Sequence, residues 1–322
     1  MRKILAPLAL LVLALSACSP SVPNPGDSLA TVRVGSLKGP TTMGLVYLMD
    51  QVDKGQAAQS YTFSVQGTPD AVSVPLVAGQ LDIALIPINL AAVLFNQTSG
   101  GVQLAAVNTL GVLYIVSNDP AVAQLSDLKG RTVLNTGQGT TPQFVIDKVL
   151  AGNNLADSVT VDYRSQATEV ASVLATTPGS IAVLPEPYVT AALAADPNAH
   201  IVADLNTEWQ SLTGSPLVTS CVAVAKSFSD DNADAVANFM TDYAASVQFV
   251  NDNPAEAAPM IVAQGLAPNA QVAQDAIPRA HIVFMTGDGA KQAVIAYLTV
   301  LFAADPKSVG GAIPGDSFFY NA

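Results

Sequence analysis

Two kinds of apolar pattern alternate along residues 30–225. Short apolar runs, such as residues 83–88 and 181–184, are bounded by Pro, Gly or Asp and predict buried strands. Between them, apolar residues recur at helical spacing, as in residues 43–50 and 144–150. Strands that alternate with helices favour βαβ units, so this pattern predicts an α/β fold with mixed, mostly parallel sheets.

The predicted elements are repeated once. The strands cover residues 30–35, 61–65, 81–86, 102–107, 131–134, 159–163, 181–184 and 218–224. The helices between them cover residues 43–50, 71–78, 89–96, 144–150, 168–175 and 188–194. Residues 83–89 match 181–187, and residues 38–42 match 138–142, in the same order. We therefore predict two α/β lobes of similar design.

The last hundred residues differ, because the sequence after residue 225 predicts helices with no strand between them. These helices cover residues 233–249, 255–264 and 289–303. They should pack back on the first lobe, which requires two crossings between the lobes, near residues 110–114 and 218–221. We predict one lobe from residues 29–111 with 221–322 and a second from residues 112–220. A hinge of two chain segments permits lobe closure.

The N-terminus has the pattern of a secretory signal. Arg2 and Lys3 precede an apolar stretch over residues 4–15, which is too short to cross a bilayer as a helix. Leu15, Ser16 and Ala17 then lead to Cys18, and this box resembles the bacterial lipoprotein signal. It predicts cleavage before a lipidated (palmitate-bearing) Cys18 and an anchored, extracytoplasmic protein. An ordinary cleaved signal with an incidental cysteine is the alternative. Residues 19–28 contain three prolines and predict a tether.

Composition narrows the possible partners. Without Arg2 and Lys3, 11 basic residues remain against 25 acidic ones, a formal charge of −14. A surface this acidic repels nucleic acid and anionic lipid, so we expect no nucleic acid partner and contact with the membrane through the lipid only. We also expect a monomer. Cys221 is the second of two cysteines, and its apolar neighbours predict a buried packing role.

The candidate site lies in the loops after the strands, where open α/β sheets bind ligands. The first such loop consists of Lys38, Gly39, Pro40, Thr41, Thr42 and Met43. Its hydroxyls, glycine and following helix start suit a carboxylate, sulfonate or phosphate. A threonine-capped helix with a surface lysine is the alternative. The facing loop consists of Thr136, Gly137, Gln138, Gly139, Thr140 and Thr141. It lacks the third glycine of a dinucleotide site, and its composition predicts a loop that donates hydrogen bonds to a small polar ligand.

Three further candidates follow strands. Asn89 and Glu186 occupy equivalent positions in the two halves, and Thr68 is a lesser candidate. Glu186 has three possible roles: binding an amine, closing a salt bridge across the lobes, or capping the next helix. No metal-ligand spacing, nucleophile elbow or Walker loop is found, so we expect no cofactor, no metal and no catalysis.

Several motifs together resemble a known family. They are the lipoprotein signal, residues 34–42, residues 79–84, residues 125–133 (LSDLKGRTV) and residues 184–188 (LPEPY). They resemble substrate-binding proteins of ABC importers, of the nitrate/sulfonate/taurine and thiamine-precursor type. The resemblance implies a two-lobed type II periplasmic-binding-protein-like fold that traps a small solute and delivers it to permease subunits. It also implies ligand contacts from Thr68, Asn89, Glu186 and the two threonine-bearing loops.

Two other functions fit the same fold. One is an enzyme, of the pyrimidine-precursor synthase or menaquinone-pathway dehydratase type. The first would need cleft histidines, yet neither His200 nor His281 follows a predicted core strand. The other is a sensory lobe that presents a ligand to a membrane receptor.

Overall fold

The computed structural model describes residues 30–320, so the predicted signal, tether and Cys18 lie outside the described residues. Within this range the chain forms two mixed sheets flanked by helices. We call the six-stranded sheet with its helices the first lobe and the five-stranded sheet with its helices the second lobe.

Strands and helices alternate over much of the chain as the sequence predicts, although three strands, over residues 113–117, 200–204 and 282–285, were not predicted. The strands are β1 (Val32–Leu37), β2 (Tyr61–Gln66), β3 (Ile83–Pro87), β4 (Val102–Leu110), β5 (Leu113–Ser117), β6 (Thr132–Thr136), β7 (Thr160–Arg164), β8 (Ile181–Pro185), β9 (His200–Asp204), β10 (Val218–Ala225) and β11 (Ile282–Met285). The helices are α1 (Pro40–Met43), α2 (Val46–Asp53), α3 (Asp70–Val77), α4 (Ile88–Gln97), α5 (Thr141–Gly152), α6 (Ala167–Thr176), α7 (Tyr188–Ala195), α8 (Leu205–Thr213), α9 (Lys226–Asp231), α10 (Ala233–Asp252), α11 (Pro254–Ala263), α12 (Ala270–Ala276) and α13 (Gly287–Ala304).

Both sheets combine a parallel half with an antiparallel half. The first has the order β11-β4-β10-β3-β1-β2, in which β1 pairs in parallel with β2 and β3 while β10 runs antiparallel to β3 and β4. The second has the order β7-β6-β8-β5-β9, with β6 parallel to β7 and β8, and β5 antiparallel to β8 and β9. The carboxyl ends of the three parallel strands therefore lie together in each sheet.

The chain passes between the sheets twice. It leaves the first sheet at the end of β4 and enters the second at β5, with Gly111 and Val112 between them. It returns after β9 and α8, when β10 joins the first sheet at Val218. The division predicted at residues 220/221 falls inside β10, which pairs with the first sheet along its whole length.

Alternation along β10 supplies two hydrophobic cores. Val222 and Val224 face α2, α10 and α11, whereas Cys221 and Ala223 face α4 and α13. The core that contains Cys221 and Ala223 continues into the second lobe, where it includes Ile115 and Trp209. Burial raises the pKa of the Cys221 thiol, in keeping with a packing role.

The predicted two-sheet α/β architecture is confirmed. The sheets are mixed but not mostly parallel, since four of the strand pairings in residues 30–320 are parallel and five are antiparallel. The prediction that no strand separates the C-terminal helices is wrong, since β11 lies between α12 and α13. This strand has four residues and pairs only with β4 at the sheet edge, so no alternating pattern identified it. None of the helices in residues 30–320 combines the length and apolarity needed to cross a bilayer.

Candidate functional site

A crevice lies between the two lobes, at the carboxyl ends of their parallel strands. Its inner chamber encloses about 280 Å³, near the lower end of the range typical of small-molecule sites. The first lobe lines it with Leu37, Lys38, Gly39, Pro40, Thr41, Gly67, Pro69, Pro87, Thr219 and Ser220. The second lobe, with the crossing segment, adds Val112, Leu113, Thr136, Gly137, Thr140, Thr141, Pro142, Ser165, Gln166, Ala167, Thr168, Pro185 and Tyr188. The structure thus brings the two threonine-bearing loops into one crevice.

The loop after β1 contributes four of its six predicted residues to the chamber. Gly39 has a φ of 132°, a backbone conformation that residues with a Cβ rarely adopt. This conformation lets the chain turn directly into α1. Thr41 is buried, and its hydroxyl lies 3.1 Å from that of Ser220. Thr42 and Met43 are fully buried instead, Thr42 donating to the Leu37 carbonyl at 2.7 Å.

The loop after β6 is held by its own hydrogen bonds. The Thr140 amide donates to the Gly137 carbonyl at 2.8 Å, and the Thr140 hydroxyl donates to the same carbonyl at 2.7 Å. The Gly139 amide donates to Oε1 of Gln143 at 2.8 Å. These bonds fix the turn that leads into α5 and place Gly137, Thr140 and Thr141 at the chamber wall.

A second cavity adjoins the chamber, and we call it the vestibule. It holds about 620 Å³ and shares Pro69, Gly137, Thr140 and Ser165 with the chamber. Its other lining residues are Asp70, Asn89, Leu90, Val93, Gln138, Gly139, Tyr163, Arg164, Lys307 and Ser308. The predicted ligand residues Asn89, Gln138 and Gly139 therefore lie in the vestibule, where Nδ2 of Asn89 donates to the Ser308 carbonyl at 3.3 Å.

Glu186 lies in neither cavity, although its neighbours Pro185 and Tyr188 line the chamber. Its carboxylate is fully buried and accepts from the amide and hydroxyl of Thr190, at 3.1 and 3.0 Å. It also accepts from Nε of Arg279 at 2.6 Å, across the lobes. Two of the three roles considered for Glu186, the helix cap and the salt bridge, thus describe its contacts here. Thr68 is exposed and lines neither cavity.

The loop after β7 was not among the predicted contacts. Ser165, Gln166, Ala167 and Thr168 line the chamber at the start of α6. The signal for them was available, because they follow the predicted strand at residues 159–163 and the strand-end rule applies there equally. Ser220 lies within β10, next to Thr219, and only the pairing of β10 with β3 brings it to the crevice.

The chamber is almost free of charge. Among the described residues its only charged lining group is Lys38, which is itself exposed. Burial raises the pKa of the Tyr188 phenol above its ordinary value, so this side chain stays neutral at physiological pH. Residues 30–320 contain no cluster of His, Cys, Asp and Glu suited to a metal ion.

This arrangement, two α/β sheets joined by two crossings with a crevice at their strand ends, defines the two-lobed periplasmic-binding-protein fold. A family model described as Menaquinone biosynthesis matches residues 32–282, and the chain belongs to that family. The family model and the solved structures confirm the resemblance to this fold family that the sequence motifs indicate.

Three solved structures illustrate the similarity. A crystal structure of an ABC transporter from Parabacteroides distasonis is 25% identical, with a TM-score of 0.77, over 92% of this chain and 99% of that chain. The periplasmic aliphatic sulphonate binding protein from Escherichia coli is 15% identical, with a TM-score of 0.72, over 90% and 92%. The alkanesulfonate-binding protein from Xanthomonas axonopodis pv. citri, bound to MOPS, is 15% identical, with a TM-score of 0.65, over 89% and 95%. The search of curated proteins gave no match.

Proposed function

We propose that this protein is the solute-binding component of an ABC importer. In this role it captures a small anionic or polar molecule between its lobes and presents it to permease subunits. The observation that carries the proposal is the chamber wall, which both lobes supply. A solute that touches both lobes stabilises the closed form by its preference for that form, and this coupling is what a permease can recognise.

We further propose that the protein acts as a monomer on the extracytoplasmic face, anchored through a lipid on Cys18. The support is the sequence of residues 1–18 together with the structural similarity to periplasmic binding proteins. The negative net charge is consistent with contact to the membrane through the lipid only, because it repels anionic lipid.

An enzyme is the second candidate, favoured by the family description of menaquinone biosynthesis. The chamber supports binding over chemistry. Among the described residues it is lined by no histidine, cysteine or carboxylate, the side chains that serve most often as general acids, bases and nucleophiles. His200 and His281 both lie outside the chamber lining, and so does Cys221.

A matched pair of substitutions on one helix tests the binding site. Ala167 begins α6 at the chamber wall, and Ala175 lies exposed near the other end of the same helix. Ala167→Trp places an indole in the chamber, whereas Ala175→Trp makes the same change of helix propensity at the surface. We expect native mass spectrometry of the full-length protein to find a co-purified small molecule in the wild type and in A175W, and none in A167W.

Equal occupancy of A167W and A175W would place the binding site elsewhere and contradict the proposal. Calorimetry with the released compound should show the same difference, with binding by A175W at wild-type strength. Incubating the compound with the wild-type protein separates the two candidate functions. An importer component returns it unchanged, and a new product mass would identify an enzyme.

A further inference from the structure

We infer that Thr219 is a positioning residue that fixes the first crossing between the lobes (residues 110–113) from the chamber wall, and thereby connects solute binding to the hinge. The inference rests on the binding function proposed above and concerns how that same site controls lobe closure. Its basis is the set of hydrogen bonds that hold the backbone carbonyls of this crossing.

Two side chains of the first lobe hold the start of the crossing. The Thr219 hydroxyl donates to the Leu110 carbonyl at 2.7 Å and lies 3.1 Å from the Thr109 carbonyl. Nδ1 of the His281 ring donates a hydrogen bond to the next carbonyl, that of Gly111. The His281 carbonyl also accepts from the Leu110 amide at 3.1 Å. Because moving a buried carbonyl away from its partner costs a hydrogen bond, these residues are fixed to the first lobe.

The second lobe holds the end of the crossing instead. The Glu186 amide donates to the Val112 carbonyl at 3.2 Å, and Leu113 begins β5. A Cβ atom on Gly111 would lie 2.5 Å from the Cβ of Asn206 in α8, so the second lobe packs directly against this glycine. The change of lobe therefore falls between Gly111 and Val112, and the backbone torsions there are the ones that absorb a rotation of the lobes.

Thr219 reaches this hinge from the chamber. It lines the chamber together with Ser220 and with Val112 and Leu113 of the crossing itself. Neighbouring residues of a regular strand point to opposite faces, but the pairing of β10 with β4 is irregular over residues 218–221, so both Thr219 and Ser220 line the chamber. A solute against this wall touches both the crossing and the residue that holds it.

The Thr219 hydroxyl has a single proton, and the short bond to the Leu110 carbonyl uses it. The side chain is buried, with 5% of its surface exposed. Without the hydroxyl, the Leu110 carbonyl loses this partner and residues 109–111 gain conformational freedom. A solute that binds the closed form must then remove that freedom again, which weakens binding.

Hydrogen–deuterium exchange of the full-length protein without solute tests the positioning role. Thr219→Val keeps the branched side chain and removes the hydroxyl, and Thr219→Ser restores the hydroxyl. The control is Thr98→Val, which removes a hydroxyl bonded to the Leu94 carbonyl at 2.6 Å, at the end of α4 and outside both cavities. We expect residues 108–113 to exchange about fivefold faster in T219V, the factor for one lost hydrogen bond, and at the wild-type rate in T219S and T98V.

Calorimetry with the compound that co-purifies with the wild type measures the connection to binding. T219V should bind this compound about fivefold more weakly, and T219S and T98V should bind it at wild-type strength. Urea denaturation verifies that each variant is folded. The wild type gives a test that needs no variant, because residues 108–113 should be protected from exchange without solute. Unprotected amides there would show a loose crossing and overturn the inference.

The other outcomes separate this inference from the importer function. Unchanged exchange in T219V overturns the inference, and weaker binding in the same variant would then make Thr219 a direct solute contact. Faster exchange of residues 108–113 in T98V as well would trace the effect to lost stability and would also overturn it. A protein that binds no small molecule, but whose crossing loosens in T219V, contradicts the importer function and leaves the hinge assignment standing.

Discussion

At the scale of single residues, His200 shows how the fold sets a protonation state. Its two ring nitrogens lie 2.9 and 2.8 Å from the backbone carbonyls of Asn198 and Val122. Only the doubly protonated ring can donate to both carbonyls. These two bonds, and the charge of Asp119, raise the pKa of His200 above its ordinary value.

This contact predicts a pH dependence of stability. Because folding raises the pKa of His200, the stabilisation that its protonated ring gives the folded state is complete below the ordinary histidine pKa of about 6.5. It is lost as the pH rises through the higher folded value. We expect the urea midpoint of the wild type to fall, between pH 6 and pH 8.5, more than that of His200→Gln. His281 is present in both proteins, so the comparison isolates the contribution of His200. Parallel pH profiles would contradict the prediction.

At the scale of elements, strong apolar patterns predicted β3 and β8, but the fully buried β5 was missed because its first residues were interpreted as a crossing between the lobes. β3 and β8 are continuous buried runs that end in proline, and the sequence predicts both within two residues. β9 and β11 are edge strands with half-exposed residues, so no alternating or continuous run marks them. The helix α8 follows β9 directly and contains few apolar residues, which hid it as well.

The site was predictable to the same extent. Strand-end position identified the loops around Thr41 and Thr140, because that rule needs only the strands. It could not show which donors a loop uses internally, as Thr140 and Gly139 do. The partner of Glu186, Arg279, lies 93 residues further along the chain, and only the packing of α7 beside α12 brings the two together.

That ion pair predicts an energetic coupling between α7 and the turn after α12. Removing one partner leaves the other charge unpaired, so we expect Glu186→Gln and Arg279→Met each to lower the free energy of unfolding by about 2–3 kcal/mol. This lies below the 3–5 kcal/mol of fully buried pairs, because the Arg279 side chain is 35% exposed. The free energy of unfolding of the double variant should fall by much less than the sum of the two single losses.

Urea denaturation of the four proteins measures this coupling. The control is Asp230→Asn, which breaks the exposed Lys226–Asp230 pair and should cost at most about 0.5 kcal/mol. Strictly additive losses at Glu186 and Arg279 would show that the two residues act independently.

At the scale of the whole molecule, the lobes contact each other on the side of α13 as well. Tyr297 of the first lobe packs against Trp209 of the second, with ring centroids 5.6 Å apart. The Tyr297 hydroxyl also lies 3.0 Å from that of Thr141, a chamber residue. The arrangement of the lobes in this structure thus has contacts of its own, independent of any solute.

These contacts should set the balance between open and closed forms. Tyr297→Phe keeps the ring and removes the hydroxyl, a loss of about 1 kcal/mol that raises the ratio of open to closed molecules about fivefold. Spin labels on cysteines introduced at Ala78 and Ala175, both exposed, report the distance between the lobes. The labelled protein carries Cys18→Ser, and burial protects the Cys221 thiol.

We expect a larger open population in Tyr297→Phe than in the wild type. The control is Tyr47→Phe, whose ring stacks on Phe249 within the first lobe, and it should have the open population of the wild type. In the proposed capture mechanism the closed form binds the solute, so the same variant should bind more weakly in proportion to its lost closed fraction. An unchanged distance distribution with weaker binding would mean that the hydroxyl orients Thr141 for the solute. An opened distribution with unchanged affinity would show that lobe closure and binding are not coupled, contrary to the capture mechanism.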